Sequence, residues 1–407
     1  MNSQNDFVIE NGVLIKYKGS TSNVFIPDNV KIIGDCAFMG CEYLASVVLP
    51  EGVISIGNYA FEKCEKLESV HLPNSILKID AIAFSGCRNL TSINFPCGMK
   101  CIGRWAFNGC ENLADIDIPE SIECIKEGAF QGCKRLADEN GWVIIRDCLY
   151  GYFGPEEFAV IPNNVTDISD GSFKNCHNIT SVVIPDGVTN IGDSAFEGCE
   201  NLTNIVIPNS VKNIGMGAFA DCKSIDNVVI PDGIITIGQM TFLNCENLTN
   251  IVIPNSVNTI DDLVFSNCKK LESVNIPDSV KLLGFGAFEN CEKLADSEGW
   301  LIIKKCLFGY FGEKNDIIIP GNVAEIGFRS FCDNENIRSI VIPYGVTTIW
   351  EYAFDGCKNL ESIYIPDSVE EIYCGNAECD KLVVYGNTGS YAEQYAKEKN
   401  IPFVVYQ

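Results

Sequence analysis

Cysteine is the reactive residue type that this sequence uses most, with 21 Cys against two His in 407 residues. Cysteines at suitable spacing form disulfides, bind zinc or act as nucleophiles. Twelve of these occupy one position of a repeat, so each has an equivalent neighbour in the adjacent copies. Neighbouring copies would place the cysteine alpha carbons at a separation that a disulfide permits, but this distance alone does not make the sulfurs face each other. A column of small, buried, apolar thiols therefore accounts better for the spacing. We therefore expect reduced cysteines throughout.

The remaining cysteines show no metal-binding or catalytic spacing. They include Cys101, Cys124, Cys148, Cys306, Cys374 and Cys379. None belongs to a C-x-x-C pair, and only His71 and His177 could complete a zinc site. There is no phosphate-binding glycine loop or nucleophile elbow, and Asp261 beside Asp262 gives no paired acid and base. The sequence thus predicts a protein without catalytic residues, metal or cofactor.

A repeat of 23 residues positions the cysteine column. Its clearest copy, PDGVTNIGDSAFEGCENLTNIVI, begins at Pro185. Fourteen prolines keep this register, with Ile or Leu six residues after each. Phe follows thirteen of them by eleven residues, with Ala377 as the exception, and Cys follows twelve of those Phe by three, with Asn334 as the exception. A fixed period in the low twenties with an L-x-x-I-x-I core is typical of a leucine-rich-repeat solenoid.

Each L-x-x-I-x-I-P segment predicts a short strand, as at Leu202, Ile205 and Ile207. Proline ends the strand because it has no N–H for a sheet. Successive strands reached by a whole coil run parallel at about 4.7 to 4.9 Å, which gives a rod or arc of roughly 70 Å. The predicted fold is an α/β-type repeat solenoid, a right-handed leucine-rich-repeat superhelix with a parallel β-sheet on its concave face.

Two insertions divide the repeats into three blocks. LADENGWVIIRDCLYGYFG from Leu136 matches LADSEGWLIIKKCLFGYFG from Leu294, and both resemble the N-terminal FVIENGVLIKY. The Asn11-Gly12 turn there predicts a β-hairpin.

The C-terminal segment SYAEQYAKEK predicts a helix in which Ser390 and Glu393 form a capping box, followed by a strand. The predicted domains are an N-terminal hairpin cap (1–22), repeat blocks (23–137, 162–294 and 320–385), hairpin-like inserts (138–161 and 295–319) and a C-terminal helix–strand cap (386–407).

The charge restricts the class of partner. With 54 acidic and 29 basic residues the net charge is −25, a balance that repels nucleic acid and anionic lipid headgroups. No apolar run of about 18 residues predicts a membrane span. The start MNSQNDF lacks the basic and apolar regions of a signal peptide. We therefore expect an intracellular protein, or a mature or engineered form without its leader and anchor.

The predicted outward face of the strands supplies the candidate site. Side chains alternate along a strand, so the positions two and four residues before each proline point away from the core. The candidate partner-binding residues fall into three groups. Five valines form the valine column, Val160, Val183, Val206, Val229 and Val252, and three asparagines lie beside it, Asn204, Asn227 and Asn250. Tyr364 is the last candidate. An exposed apolar stripe with polar edges is a potential protein-binding surface. Alternatively, valine recurs only because it suits a strand.

The inserts carry a second group of candidates. They are Trp142, Tyr150, Tyr152 and Phe153 in the first insert, and Trp300, Phe308, Tyr310 and Phe311 in the second. Aromatic side chains often anchor a ligand or partner. Their spacing on apolar runs also fits packing within each insert, which is the interpretation that we favour.

The pattern I-P-x-x-V-x-x-I-G-x-x-A-F-x-G-C-x-x-L-x-x-I-x-I-P, clearest in residues 184–208, resembles the BspA-like leucine-rich repeats of bacterial surface antigens. The resemblance covers about residues 23–373, and the ending GSYAEQYAKEKNIPF is similar to the closing segment of many such proteins. It implies a surface-exposed or secreted protein that binds host or neighbouring-cell proteins, without shared catalytic residues.

On this basis we expect a non-enzymatic, adhesin-like monomer that holds a protein, or a glycan, on its concave strand face at the cell surface or in the secreted space. Two alternatives come from other functional classes. The chain would be a structural spacer or surface-layer component that binds nothing, or a cytoplasmic interaction scaffold, which the reduced cysteines and the lack of a leader favour.

Overall fold

The computed structural model describes residues 4–373 and 381–406. The chain divides into two compact units, Met1–Cys199 with Ser210–Ala218, and Glu200–Asn209 with Phe219–Gln407. Within each unit, strands 23 residues apart pair in parallel without register shift, as at Ile33 and Ile56 in the first unit and Ile237 and Ile260 in the second. The predicted solenoid of stacked parallel strands is confirmed. Cys374, Ala377 and Cys379 lie outside the described residues.

The strand predicted before each proline is present and is called here the long strand. In the three-residue copies the middle residue is buried, or half-buried at Ile116, and the outer residues point outward, because a three-residue strand alternates once. The long strands are Asn23–Phe25, Ser46–Val48, Ser69–His71, Ser92–Asn94, Asp115–Asp117, Phe158–Val160 and Ser181–Val183 in the first unit, and Asn204–Val206, Asn227–Val229, Asn250–Val252, Ser273–Val274, Asp316–Ile318, Ser339–Val341 and Ser362–Tyr364 in the second. The strand Val383–Gly386, which no proline follows directly, pairs with the last of them.

A second strand in each coil, called here the short strand, was not predicted. It ends at the Ile or Leu six residues after the proline, which is buried in most coils and half-buried at Ile125, Leu283 and Ile372. The short strands are Ile32–Ile33, Ser55–Ile56, Lys78–Ile79, Cys101–Ile102, Cys124–Ile125, Asp167–Ile168, Asn190–Ile191 and Asn213–Ile214 in the first unit, and Thr236–Ile237, Thr259–Ile260, Leu282–Leu283, Glu325–Ile326, Thr348–Ile349 and Glu371–Ile372 in the second. Two residues are too few to show an alternation that sequence analysis could detect.

Turns complete each coil. The Phe and Cys of each repeat lie in these turns, and their side chains point into the core. Within each unit, neighbouring Phe rings stack with centroids 4.7 to 5.7 Å apart, as at Phe61 and Phe84. In nine coils the thiol three residues after the Phe donates to the carbonyl of the Phe in the preceding coil, and Cys176 donates to Tyr152 O instead. Cys87 Sγ, for example, lies 3.1 Å from Phe61 O. These columns form the core, and the described cysteines are thiols.

Three antiparallel hairpins interrupt or begin the stack. They are Phe7–Glu10 with Val13–Tyr17, Trp142–Ile145 with Cys148–Tyr152, and Trp300–Ile303 with Cys306–Tyr310. The second strand of each hairpin pairs in parallel with the next short strand, so the hairpin covers the first coil of a block. Asn11 and Gly12 both take positive φ, +50° and +79°, as the predicted tight turn requires.

The aromatic residues of the inserts pack mainly into the core. Trp142, Tyr150, Tyr152, Trp300, Phe308 and Tyr310 are buried, and Phe311 is half-buried. Tyr152 lies 5.5 Å from Phe173, and so it takes the place of a Phe in the column rather than forming a separate small core. Phe153 is the most exposed member, at 38%. Most of this group therefore packs into a core, as predicted, but that core includes the Phe rings of neighbouring coils and is not confined to each insert.

The C-terminal helix spans Tyr391–Lys399 and is followed by the strand Phe403–Val405, which pairs in parallel with Val383–Gly386. Ser390 Oγ accepts a hydrogen bond from Glu393 N, as predicted. The returning bond differs from a capping box, because Glu393 Oε2 accepts from Gly389 N at 2.6 Å. In the described parts of the chain, the other helices are the short 3₁₀ helices Gln4–Asp6, Lys134–Leu136 and Glu292–Leu294.

Candidate binding surface

The valine column lies on the outward side of the long strands, as alternation predicts. Val160 and Val183 are 52% and 42% exposed in the first unit, where their strands pair in register. In the second unit Val206, Val229 and Val252 are 68%, 57% and 49% exposed. Each exposed valine follows a buried residue of the same strand, so the core holds its backbone in place.

Asparagines flank the column in the second unit. Asn204, Asn227 and Asn250 are exposed two residues before the valines, and Asn227 and Val229 pair in register with Asn250 and Val252. A hollow of about 570 Å³ opens between the first two of these strands. Its lining consists of Thr203, Asn204, Ile205, Val206, Ile207, Asp226, Asn227 and Val229. Methyl groups and neutral amides beside one carboxylate suit recognition of a mixed polar and apolar surface.

Tyr364 occupies the same position of a long strand but belongs to another sheet. It pairs with Val341 on one side and Tyr385 on the other, and its ring lies 4.7 Å from that of Tyr406. Its neighbours half-bury its ring. The structure thus brings the candidate valines and asparagines together within their units, whereas Tyr364 forms part of a C-terminal aromatic group.

The buried members of the cysteine column are held as thiols, whereas a hydrogen bond with Cys64 and the charge of Lys16 lower the pKa of the partly exposed Cys41. Burial raises the pKa of Cys87, Cys133 and Cys291 to about 12. Burial also raises the pKa of Cys245 and Cys268 well above its usual value. Protonated thiols are poor nucleophiles and poor metal ligands. Among residues 4–373 and 381–406, no group of three or more His, Cys, Asp or Glu side chains is arranged to hold a metal ion.

One exposed cluster was missed by the sequence analysis. Phe285, Phe328, Trp350, Tyr352 and Tyr373, called here the aromatic cluster, lie together beside the second insert. The signal was present in the repeat: Trp350 and Tyr373 stand seven residues after a proline, where eight other coils have Gly. Counting departures from the repeat, rather than matches to it, would have found them.

The described residues contain no helix long and apolar enough to cross a bilayer. A sequence model described as "BspA type Leucine rich repeat region" matches residues 10–137, 160–295 and 300–383, in six copies. No curated protein matches the chain.

Three solved structures illustrate the similarity. A leucine-rich repeat protein from Bacteroides ovatus is 26% identical, with 100% of this chain and 97% of that chain covered and a TM-score of 0.43. One from Eubacterium ventriosum is 24% identical, with 72% and 91% covered and a TM-score of 0.53. A leucine-rich cell surface protein from Faecalibacterium prausnitzii is 26% identical, with 97% and 96% covered and a TM-score of 0.37.

Proposed function

Because this chain belongs to the BspA-type leucine-rich repeat family, we propose that it is a non-enzymatic binding protein that holds a protein partner against the outward valines of its long strands. The observation that carries the proposal is the exposed column of Val206, Val229 and Val252 with its flanking amides. An exposed apolar stripe edged by polar groups is the surface that a protein partner buries.

Strand propensity alone does not account for the valines. Other long strands carry His71, Asn94 or Asp117 at the same outward position. The fold therefore accepts polar residues there, and it does so with the same backbone conformation. The apolar character of the valine column is consequently a property of the surface and not a requirement of the strand.

The proposal includes a location at the cell surface or in the secreted space, which the resemblance to surface antigens implies. The net charge of −25 supports a protein rather than a nucleic acid as the partner, because phosphate recognition requires basic patches.

The test replaces two valines of the second unit. V206E/V229E places carboxylates in the proposed contact and leaves the buried Ile205 and Val228 unchanged. The matched control is I235E, because Ile235 is 52% exposed beside a short strand of the same unit. Binding to a panel of purified extracellular and cell-surface proteins is measured by surface plasmon resonance.

We expect at least one panel protein to bind the wild type and I235E, and to bind V206E/V229E about 100-fold more weakly. The estimate assumes that each valine contributes about 1.5 kcal/mol when buried and that 1.4 kcal/mol corresponds to a tenfold change. If the panel proteins bind none of the chains, or bind all three equally, the proposal fails and a structural spacer becomes the better description.

A further inference from the structure

Three rings of the aromatic cluster, Phe285, Phe328 and Trp350, line a pocket beside the short strands of the second unit. The Phe285 ring lies 4.9 Å from Trp350 in an edge-to-face arrangement and 6.3 Å from Phe328. Trp350 stacks in parallel on Tyr373 at 5.2 Å. Phe285, Tyr352 and Tyr373 are 46%, 49% and 47% exposed. Large aromatic residues this exposed, and in mutual contact, form an apolar surface that water covers poorly.

The pocket has a volume of about 390 Å³ and a mixed lining. Phe285, Phe328 and Trp350 contribute the rings, and Gly284, Gly286 and Gly327 contribute backbone. Charged groups stand beside the rings, since Glu325 Oε2 accepts a hydrogen bond from Trp350 Nε1 at 2.9 Å. A pocket of a few hundred Å³ with apolar walls and a few fixed polar groups is typical of small-ligand sites.

The first insert provides an internal comparison. Glu127, Asp170 and Gly192 stand 158 residues before Phe285, Phe328 and Trp350, at the matching positions. There the Arg104 guanidinium donates to Asp170 at 3.0 Å and Asp193 at 3.3 Å, so ion pairs connect the coils on either side of the insert. The same type of hairpin is therefore built into a stack without any aromatic cluster. The exposed rings of the second insert are not a requirement of the fold.

Trp350 also stands where the repeat favours glycine. At Gly327, the corresponding residue of the preceding coil, an added Cβ would lie 2.5 Å from the Leu307 carbonyl oxygen. Eight coils keep glycine at this position. Trp350 thus departs from the residue type that the repeat favours and from the close packing found at Gly327. This departure indicates that Trp350 was selected for something other than stability.

The lining selects the class of ligand. Lys281 and Lys304 at the rim disfavour an organic cation, although aromatic rings otherwise attract one. Glu325 and the lysines disfavour a wholly apolar group, because such a group would remove these charges from water without giving them a new polar contact. A neutral sugar ring satisfies both conditions, since its C–H face packs on electron-rich rings and its hydroxyls pair with carboxylate, ammonium and backbone groups.

We propose that this pocket binds a neutral pyranose unit of a glycan, with Phe285, Phe328 and Trp350 as the packing surface and Glu325 as a hydroxyl acceptor. The site lies beside the short strands, apart from the valine column, and it does not depend on the protein partner proposed above.

The experiment uses the full chain and the neutral disaccharides lactose, maltose, cellobiose and N,N′-diacetylchitobiose as probes. Saturation-transfer-difference NMR detects contact with sugar C–H groups, and calorimetry gives affinities. Trp350→Gly restores the residue common in the repeat, and Phe285→Glu copies the residue of the first insert. Tyr344→Ala is the control, because Tyr344 is 80% exposed in the same unit and lies outside the pocket.

We expect at least one disaccharide to bind the wild type and Tyr344→Ala, with both pocket variants weaker by about tenfold or more. Circular dichroism shows whether each variant keeps the fold. If one pocket variant unfolds, the sugar affinity of the other pocket variant tests the proposal. Three results would overturn the proposal: no disaccharide binds the wild type, both folded pocket variants bind as the wild type does, or tetramethylammonium or N-acetyltryptophanamide binds through the same residues while the sugars do not.

Discussion

Nine buried thiols of the cysteine column have two roles, as small apolar core groups and as donors to the preceding coil. Cys110 Sγ, for example, lies 3.2 Å from Phe84 O, and its residue is fully buried. This bond reaches a carbonyl at the base of the stacked rings, so thiol and ring columns support one another from coil to coil. The column therefore links packing and hydrogen bonding at a single repeat position.

Stability should fall in alkaline solution because of these thiols. Below about pH 8.5 they are protonated in both states, so they contribute no pH dependence. Above it the unfolded thiols ionise, whereas burial holds the pKa of Cys87, Cys133 and Cys291 at about 12 in the folded state. The free energy of unfolding then decreases by about 1.4 kcal/mol per thiol for each pH unit, until the folded pKa is reached.

Urea denaturation under reducing conditions at about pH 8 and pH 9.5 measures this change. Cys133→Ala should show a smaller decrease than the wild type, by one thiol. An unfolding free energy that stays constant over this interval would contradict the expected burial of the column.

At the scale of the element, the three hairpins have the same strand pairing but different residues in their turns. The first uses Asn11 and Gly12, which accept positive φ at little cost. In the third, Lys304 and Lys305 hold φ of +47° and +68°, a conformation that costs ordinary residues about 1–2 kcal/mol. Lys304 has a reason to remain, since its Nζ donates to Pro277 O and Val280 O at 3.1 and 2.8 Å.

Lys305→Gly should therefore stabilise the protein by about 0.5–1 kcal/mol, because glycine accepts positive φ without strain. The gain is measured as a rise in thermal midpoint or in unfolding free energy. Lys314→Gly serves as control, since Lys314 does not have positive φ and glycine there should be neutral or destabilising. A lower stability for Lys305→Gly would show that its side chain contributes more than the turn costs.

The elements that sequence analysis predicted are those with a strong local or periodic signal. The long strands, the hairpin at Asn11-Gly12 and the helix after Ser390 each have such a signal. The short strands were missed because a two-residue strand depends on its neighbours in the stack. For the candidate site, alternation located the exposed valines correctly, whereas the pocket beside Trp350 depends on side chains from three coils and the insert. Searching for agreement with the repeat could not reveal it.

At the scale of the whole molecule, each of two hydrophobic clusters includes residues of a hairpin, and the first of them extends from its block into the first insert. One cluster runs from Leu14 to Tyr150, and another runs from Trp300 to Ala396. The second begins at a hairpin and ends at the C-terminal helix, so it has a cover at each end. A stack of repeats gains its stability from intrinsic and nearest-neighbour terms, which allows a covered block to be stable alone.

A fragment of residues 296–407 should accordingly fold by itself. We expect a cooperative thermal transition and a β-type circular dichroism spectrum. Residues 320–407, which lack the hairpin, should be unfolded or aggregated because the first coil is then uncovered. Equal behaviour of the two fragments would argue that the hairpin is dispensable.

The hairpins also have an evolutionary consequence. A gene that acquires a segment starting at a hairpin gains a block whose first coil is already covered by that hairpin. The added block therefore does not require a complementary surface on the block that precedes it. Blocks can then be added, lost or exchanged by recombination, and each copy is free to alter its exterior. The ion pairs around Arg104 and the rings around Trp350 are two outcomes of such divergence on equivalent scaffolds.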